Sequence, residues 1–244
     1  MSLRELAHET LLTRTPLRDR ETRKRLVHAR RRLFEAAGSV RYSMPAFDGI
    51  DLKLQRYLPS SGTFLEAGAN DGYTWSNTYY LERFKGWGGV LVEGIPTLSE
   101  ECRRLRPRSI VHNCALVAPD FPEDHVTMTY SDLRSLIAGS EPAMEELALK
   151  DAQTYEVQVP ARTLDDVLTE SGVDRLDFVS LDLEGFEAPA LQGLDLDHHR
   201  PSWMLIEIAS GGGRTAVEQV IGSRYEAVEE LTPGDVLYRR REGV

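Results

Sequence analysis

Five carboxylates stand at or near the ends of apolar runs: Glu66 in TFLEAG (63–68), Glu93 in GGVLVEG (88–94), Asp182 and Glu184 in LDFVSLDLEG (176–185), and Glu207 in SWMLIEI (202–208). Desolvating an ionisable group at the end of an apolar segment has to be compensated. If the runs are parallel strands of one sheet, the carboxylates converge on its carboxyl edge, where open α/β sheets bind their ligands. Such an edge favours a ligand with hydroxyls and positive charge.

The turn after the first run narrows the choice. A dinucleotide site uses G-x-G-x-x-G, which lets bare backbone approach a pyrophosphate at a helix N-terminus. Here the loop reads Gly68-Ala69-Asn70-Asp71-Gly72-Tyr73. Asn70 replaces the second glycine, Tyr73 the third, and Asp71 would repel a diphosphate. A nicotinamide dinucleotide, and with it a nucleotide-dependent oxidoreductase, is disfavoured. S-adenosylmethionine (SAM) has no phosphate, carries a sulfonium and an ammonium, and presents a ribose diol that a carboxylate accepts from with both oxygens. Glu93, one strand further on, is placed for that diol.

The elements that must position these groups alternate. Between most of the apolar runs, including SIVHNCALV (109–117), lie helical patterns at 76–84, 98–105, 164–170, 187–191 and 214–221. Continuous apolar strands alternating with helices indicate a doubly wound sheet covered on both faces. DGIDLKLQRYLP reads as a short helix stopped by Pro59. Residues 118–161 interrupt the alternation with HVTMTYS and YEVQVPA, an extra strand pair around a helical EPAMEELALK, in a position to shape a substrate pocket. YEAVEELTPGDVLYRRR reads as a hairpin with Pro and Gly central in a type II turn, which makes the final strand antiparallel.

Composition fits one domain with an extension: 244 residues, 41% hydrophobic, 28% charged and net charge −10. Residues 1–41 hold eleven Lys and Arg against five Asp and Glu, which leaves −16 on the remainder. The acidic body argues against duplex DNA as a partner. In RETRKRLVHARRRLFEAAG, Leu26, Val27, Leu33, Phe34 and Ala37 fall on one helical stripe opposite the arginines, which predicts a helix packed by that stripe on its own domain or on a second subunit. This makes the N-terminal helices a candidate route to a homo-oligomer. No membrane-length apolar run and no secretory signal pattern is present, so the expected location is cytoplasmic. Cys102 and Cys114 fit neither a CxxC pair nor a zinc spacing and read as buried thiols. His112 reads as a core histidine, and His198 and His199 as surface loop.

The blocks FLEAGANDGYTWSNTYYLERFKGWGGVLVEG, NCALV, RTLDDVL, LDFVSLDLEGFEAPALQGL and LIEI resemble, in order, FkbM-type SAM-dependent methyltransferases over roughly residues 48–208. The resemblance implies a Rossmann-like class I methyltransferase sheet, seven strands with the last antiparallel, over residues 48–244, preceded by a helical extension at 1–47. It implies O-methylation of a small-molecule or glycan hydroxyl, of sugar or polyketide type. Glu66, Gly68, Asn70, Asp71 and Gly72 occupy the family's cofactor loop. Glu93 occupies its ribose position, followed here by Gly94 where proline is more usual. Asn113 and Ala115 match the segment bordering adenine, and Asn77 either touches ligand or caps a helix.

In that fold a carboxylate ending the fourth strand lies beside the acceptor oxygen. Asp182 is the expected general base, with capping of the following loop as its structural alternative. Glu184 is placed to orient the acceptor if the strand continues. Asp182, Glu184 and Glu207 offer hard oxygens for a divalent ion, but carboxylates at such an edge do not define a metal site, and none is expected. Outside catalysis, the same features would suit a SAM-fold module that recruits a partner through its basic extension.

Overall fold

A computed structural model describes residues 20–131, 134–137, 154–208 and 212–243. The strands are β1 (Thr63–Ala67), β2 (Gly88–Val92), β3 (Ser109–His112), β4 (Ala115–Leu116), β5 (His125–Ser131), β6 (Arg134–Ile137), β7 (Thr154–Arg162), β8 (Phe178–Leu181), β9 (Trp203–Glu207), β10 (Tyr225–Glu230) and β11 (Asp235–Arg240). The helices are α1 (Arg20–Ala36), α2 (Ile50–Leu54), α3 (Tyr79–Lys85), α4 (Pro96–Leu105), α5 (Leu164–Glu170), α6 (Glu187–Gln192) and α7 (Gly213–Ile221).

Seven strands form one sheet in the order β10-β11-β9-β8-β1-β2-β3. β3, β2, β1, β8 and β9 are mutually parallel, and β11 runs antiparallel to both its neighbours. Parallel neighbours require crossovers, which the helices supply. Alternation along each strand divides the core in two. Leu65, Val90, Val179, Leu181 and Ile206 pack with Leu164, Val217 and Ile221 of α5 and α7 on one face. Phe64, Leu91, Phe178 and Leu205 pack with Ile50, Leu54 and Leu81 of α2 and α3 on the other.

Local chemistry fixes the element ends. Thr163 and Asp166 form a reciprocal capping box on α5. Pro96 opens α4, where its missing N–H costs nothing, and Gly86 in a left-handed conformation closes α3. The expected strand 109–117 is two: it breaks at Asn113, and β4 joins a second sheet, β4-β7-β5-β6. β5 and β7 pair antiparallel as expected, with β6 added, while the helix expected in EPAMEELALK lies outside the described residues. The β10–β11 turn is not type II, because Gly234 lacks the positive φ that type requires. Instead the Thr232 hydroxyl accepts from the N–H groups of Gly234 and Asp235 at 3.2 and 3.1 Å. His199 is buried rather than surface-exposed, held by the Asp174 carbonyl and the Asp165 carboxylate.

α1 packs through only part of its apolar stripe, Val27 and Phe34, the latter against the Tyr42 ring, and through charged residues beside them. Its inward face carries Lys24, His28, Arg31 and Glu35 at helical spacing, while Leu26 and Leu33 are 53% and 69% exposed. The surface it meets explains the inward charges: Asp71 and the rings of Tyr73 and Tyr79 offer a carboxylate, π-faces and a hydroxyl. Glu35 accepts from Ser43 Oγ, Tyr79 Oη and Arg83 Nε at 2.9, 2.9 and 3.1 Å. Arg31 lies over both rings, 4.7 and 4.9 Å from their centroids. This polar interface predicts that Glu35→Ala costs about 1–3 kcal/mol in urea unfolding, whereas Leu33→Gln stays within about 0.5 kcal/mol. Equal losses would contradict the orientation of α1.

Candidate active site

The turn leaving β1 is held from beneath by a buried ionic network. Glu66, 4% exposed, accepts from Ser76 Oγ, the Asn77 N–H and Thr78 Oγ1 at 2.8, 2.7 and 2.5 Å. Arg106, at the end of α4 and 1% exposed, reaches Glu66 at 3.5 Å and Glu82 of α3 at 2.7 Å. Its remaining N–H groups donate to the Gly72 carbonyl, Ser76 Oγ and Thr78 Oγ1 at 3.1, 3.1 and 2.8 Å. Both Glu66 oxygens are therefore directed to the protein, so Glu66 shapes the loop from below. The expected helix at 76–84 begins only at Tyr79, because residues 76–78 wrap this carboxylate and Ser76 Oγ caps the N–H groups of Thr78 and Tyr79. Asn77 is accordingly not the cap; its amide donates to Ser180 of β8 at 3.0 Å.

Above the network the loop alternates through left-handed residues, Gly68 (φ 81°), Asn70 (φ 51°) and Gly72 (φ 79°). A Cβ on Gly68 would lie 2.0 Å from the Asp182 carbonyl oxygen, so only glycine lets the loop cross the end of β8 this closely. Asp71 turns back into the loop, accepting from the N–H groups of Tyr73 and Thr74 at 2.9 and 2.6 Å, and pairs with Lys24 of α1 at 3.0 Å. Burial works against its charge, but Lys24 and the backbone donors outweigh it and hold its pKa below the ordinary value. Burial likewise pushes His28, 3.8 Å from Asp71, down to about 4, so this imidazole is neutral.

Glu93 lies buried just beyond β2, next to this loop. Its two oxygens accept from the Asn70 and Ile95 N–H groups, each at 2.8 Å, which ties the cofactor loop to β2. Burial pushes its pKa up to about 7, assisted by the charge of Asp71 and opposed by those backbone donors. Asn113 donates to the Glu93 and Gly94 carbonyls at 2.8 and 2.7 Å and so holds the adjoining turn. Ala115 lies buried beside Ile95 and Met128. Gly94 stands where a Cβ would be 2.2 Å from Met128 Sδ, so a larger residue would force the Met128 side chain to move.

Asp182 lies just beyond β8, partly exposed but with protein packed closely around its carboxylate. Burial raises its pKa well above the carboxylate range, and the charge of Glu207 and a hydrogen bond to it raise it further. Glu184 does not continue the strand, contrary to the condition set for its role: β8 ends at Leu181 and Glu184 sits in a left-handed turn at φ 53°. That turn is capped by Glu187, which accepts from the Leu183 and Gly185 N–H groups at 2.8 and 3.1 Å. Among the described residues no three His, Cys, Asp or Glu side chains are arranged to hold a metal ion. Sequence reasoning missed Arg106, Glu82 and Lys24, whose charges resemble solvated surface until the fold brings them to the loop.

The loop thus has glycine backbone where a side chain would collide with Asp182 or Arg106, and a carboxylate beside it at the end of β2. Removing Arg106 tests how the loop is held. Arg106→Met leaves Glu66 and Glu82 buried without their cation and should cost about 3–5 kcal/mol in urea unfolding. A loss below about 1 kcal/mol would show that the network is not needed.

Comparison with known proteins bears on what this pocket does. The sequence matches the methyltransferase FkbM domain over residues 66–224. No curated protein sequence matches the chain. Among solved structures it is similar to the methyltransferase FkbM from Methylobacillus flagellatus KT, with TM-score 0.50 and 16% identity over 97% of this chain; it spans 60% of that longer chain. An O-methyltransferase from Bacillus cereus in complex with S-adenosylhomocysteine (SAH) aligns over 96% of this chain and 97% of its own, with 14% identity and TM-score 0.45. A TehB-like SAM-dependent methyltransferase from Corynebacterium glutamicum aligns over 91% and 100%, with 14% identity and TM-score 0.45. No helix among the described residues is long and apolar enough to cross a membrane. The domain match covers well over half of the residues and sets aside both the oxidoreductase and the non-catalytic readings: the chain belongs to the FkbM methyltransferase family, and it is a SAM-dependent methyltransferase.

Proposed function

We propose that the protein transfers the SAM methyl group to a hydroxyl oxygen of a small molecule or glycan, with the acceptor beside Asp182. The observation that carries this reading is the pairing of Asp182 with Glu207 beside the Gly68 crossing. A hydroxyl must lose its proton as it attacks, and a carboxylate of raised pKa is a stronger base than an ordinary one once ionised. Bound SAM supplies the electrophilic methyl. The chain's part is to hold the cofactor, exclude water, bring the acceptor oxygen within about 3–3.5 Å of the reacting carbon and collect its proton.

Residues divide these tasks. Gly68, Asn70 and Gly72 give the loop its close approach, and Glu93 accepts from the ribose diol. Glu66 and Asp71 act through the loop by fixing its shape, and Asn113 and Ala115 set the wall of the adenine side. The second sheet, β4 to β7, stands where an acceptor would enter past Met128 and Gly94.

Glu93 gives a pH test with a definite sign. Ribose hydroxyls donate best to the ionised carboxylate, so SAM affinity should rise with pH through about 7, by about tenfold between pH 6 and 8 if only the ionised form binds. Glu93→Gln should remove that rise and weaken binding by about 1.5–3 kcal/mol. Folding responds in the opposite sense: Glu93 favours the folded state fully below its ordinary pKa of 4.5, and the contribution is lost as pH rises through about 7. Calorimetry at several pH values checks both; a wild-type affinity profile parallel to that of Glu93→Gln would remove Glu93 from the site.

Asp182 is tested by turnover once an acceptor is found by comparing small molecules of cells with and without the enzyme. The acceptor step requires ionised Asp182, so kcat should rise toward alkaline pH. Asp182→Asn should lower it by ~10²–10⁴ with SAM affinity little changed. Near-normal turnover in the variant would mean that the proton leaves by another route.

A further inference from the structure

The inward face of α1 is committed to the cofactor loop, and among the described residues its outer face is left uncovered. That face carries Leu26, Ala29, Leu33 and Ala36, all exposed, at 3-4-3 spacing, the a/d seam of a helix that pairs with another helix. The helix is already anchored through Lys24, Arg31 and Glu35, so a partner need not supply the energy to order it. Arg25 and Arg32, both exposed, precede the two seam leucines and flank the seam at equivalent heptad positions.

These flanks decide the occupant. In a second copy of this chain, an antiparallel pair would set Arg25 against Arg32, and a parallel pair would set Arg25 against Arg30. Either arrangement opposes like charges. A membrane surface calls for a broad apolar face with large side chains, but two of the four seam residues are alanines. Small residues alternating with leucine suit the close approach of a second helix. We propose that the outer face of α1 is a docking surface for an amphipathic helix of a different protein, with an apolar seam flanked by Asp and Glu.

The full chain should be titrated by fluorescence anisotropy with two synthetic helical peptides sharing one leucine seam, flanked by Glu in one and by Lys in the other. The Glu-flanked peptide should bind at least about tenfold tighter, and its affinity should fall by about tenfold in Leu33→Gln and again in Arg25→Ala/Arg32→Ala, with SAM affinity unchanged. Absence of binding, or equal binding of the Lys-flanked peptide, would overturn the proposal. So would a dimer in light scattering that Leu33→Gln dissociates, Leu33-dependent uptake by phosphatidylserine vesicles, or arginine-dependent binding of an RNA oligonucleotide that leaves Leu33→Gln unaffected. Peptide binding that appears only after removal of residues 1–19 would assign the surface to the chain's own N-terminus and would likewise overturn it.

Discussion

The structure depends on one buried guanidinium. Arg106 is almost wholly removed from water, and its attraction to Glu66 and Glu82 offsets a desolvation cost that is large for each ion. The three groups come from the end of α4, from β1 and from α3, so the network joins three elements around the turn that carries the cofactor loop. A packed hydrophobic cluster could supply comparable stability. It could not bind the Gly72 carbonyl, Ser76 and Thr78 in fixed directions, and those bonds set where the loop backbone lies.

Two consequences follow for the chemistry. Glu93 is free of the Arg106 network and is instead bound by backbone donors in a dry setting, which leaves its pKa near 7 and lone pairs for a ligand. Asp182 has its pKa raised first by burial and then by a second carboxylate, Glu207, at the end of the neighbouring strand β9. The site therefore separates its acids by environment: Asp71, paired with a lysine, is held below the ordinary carboxylate range, while Glu93 and Asp182 are pushed above it.

How much was legible in the sequence depended on the range of the interactions. The parallel strands were readable because burial on both faces leaves continuous apolar runs, and Glu93 was readable because its position follows from strand order. Gly68 was marked by its place in the turn. The function of Glu66 was not readable: its residue type suits a ligand contact, but the donors that occupy it come from ten to forty residues away. The orientation of α1 was misread for a related reason. Amphipathicity ranks faces by hydrophobicity, and it fails where the receiving surface is itself charged and aromatic. Leu33, expected to pack on the domain or on a second subunit, is exposed in this chain, while Arg31, expected on the opposite side, is buried. The split of residues 109–117 into β3 and β4 depends on the side chain of Asn113 bonding across the chain, which no periodicity reveals.

The central claim is that the pocket takes its cofactor through Glu93 while Glu66 remains bound within the protein. A crystal structure of the chain with SAH tests it most directly. The account predicts both ribose hydroxyls within hydrogen-bond distance of the Glu93 carboxylate, about 2.5–3.0 Å, with Glu66 still bonded to Ser76 and Thr78 and close to Arg106. A ribose held elsewhere, or a Glu66 carboxylate turned from Arg106 to the ligand, would contradict it.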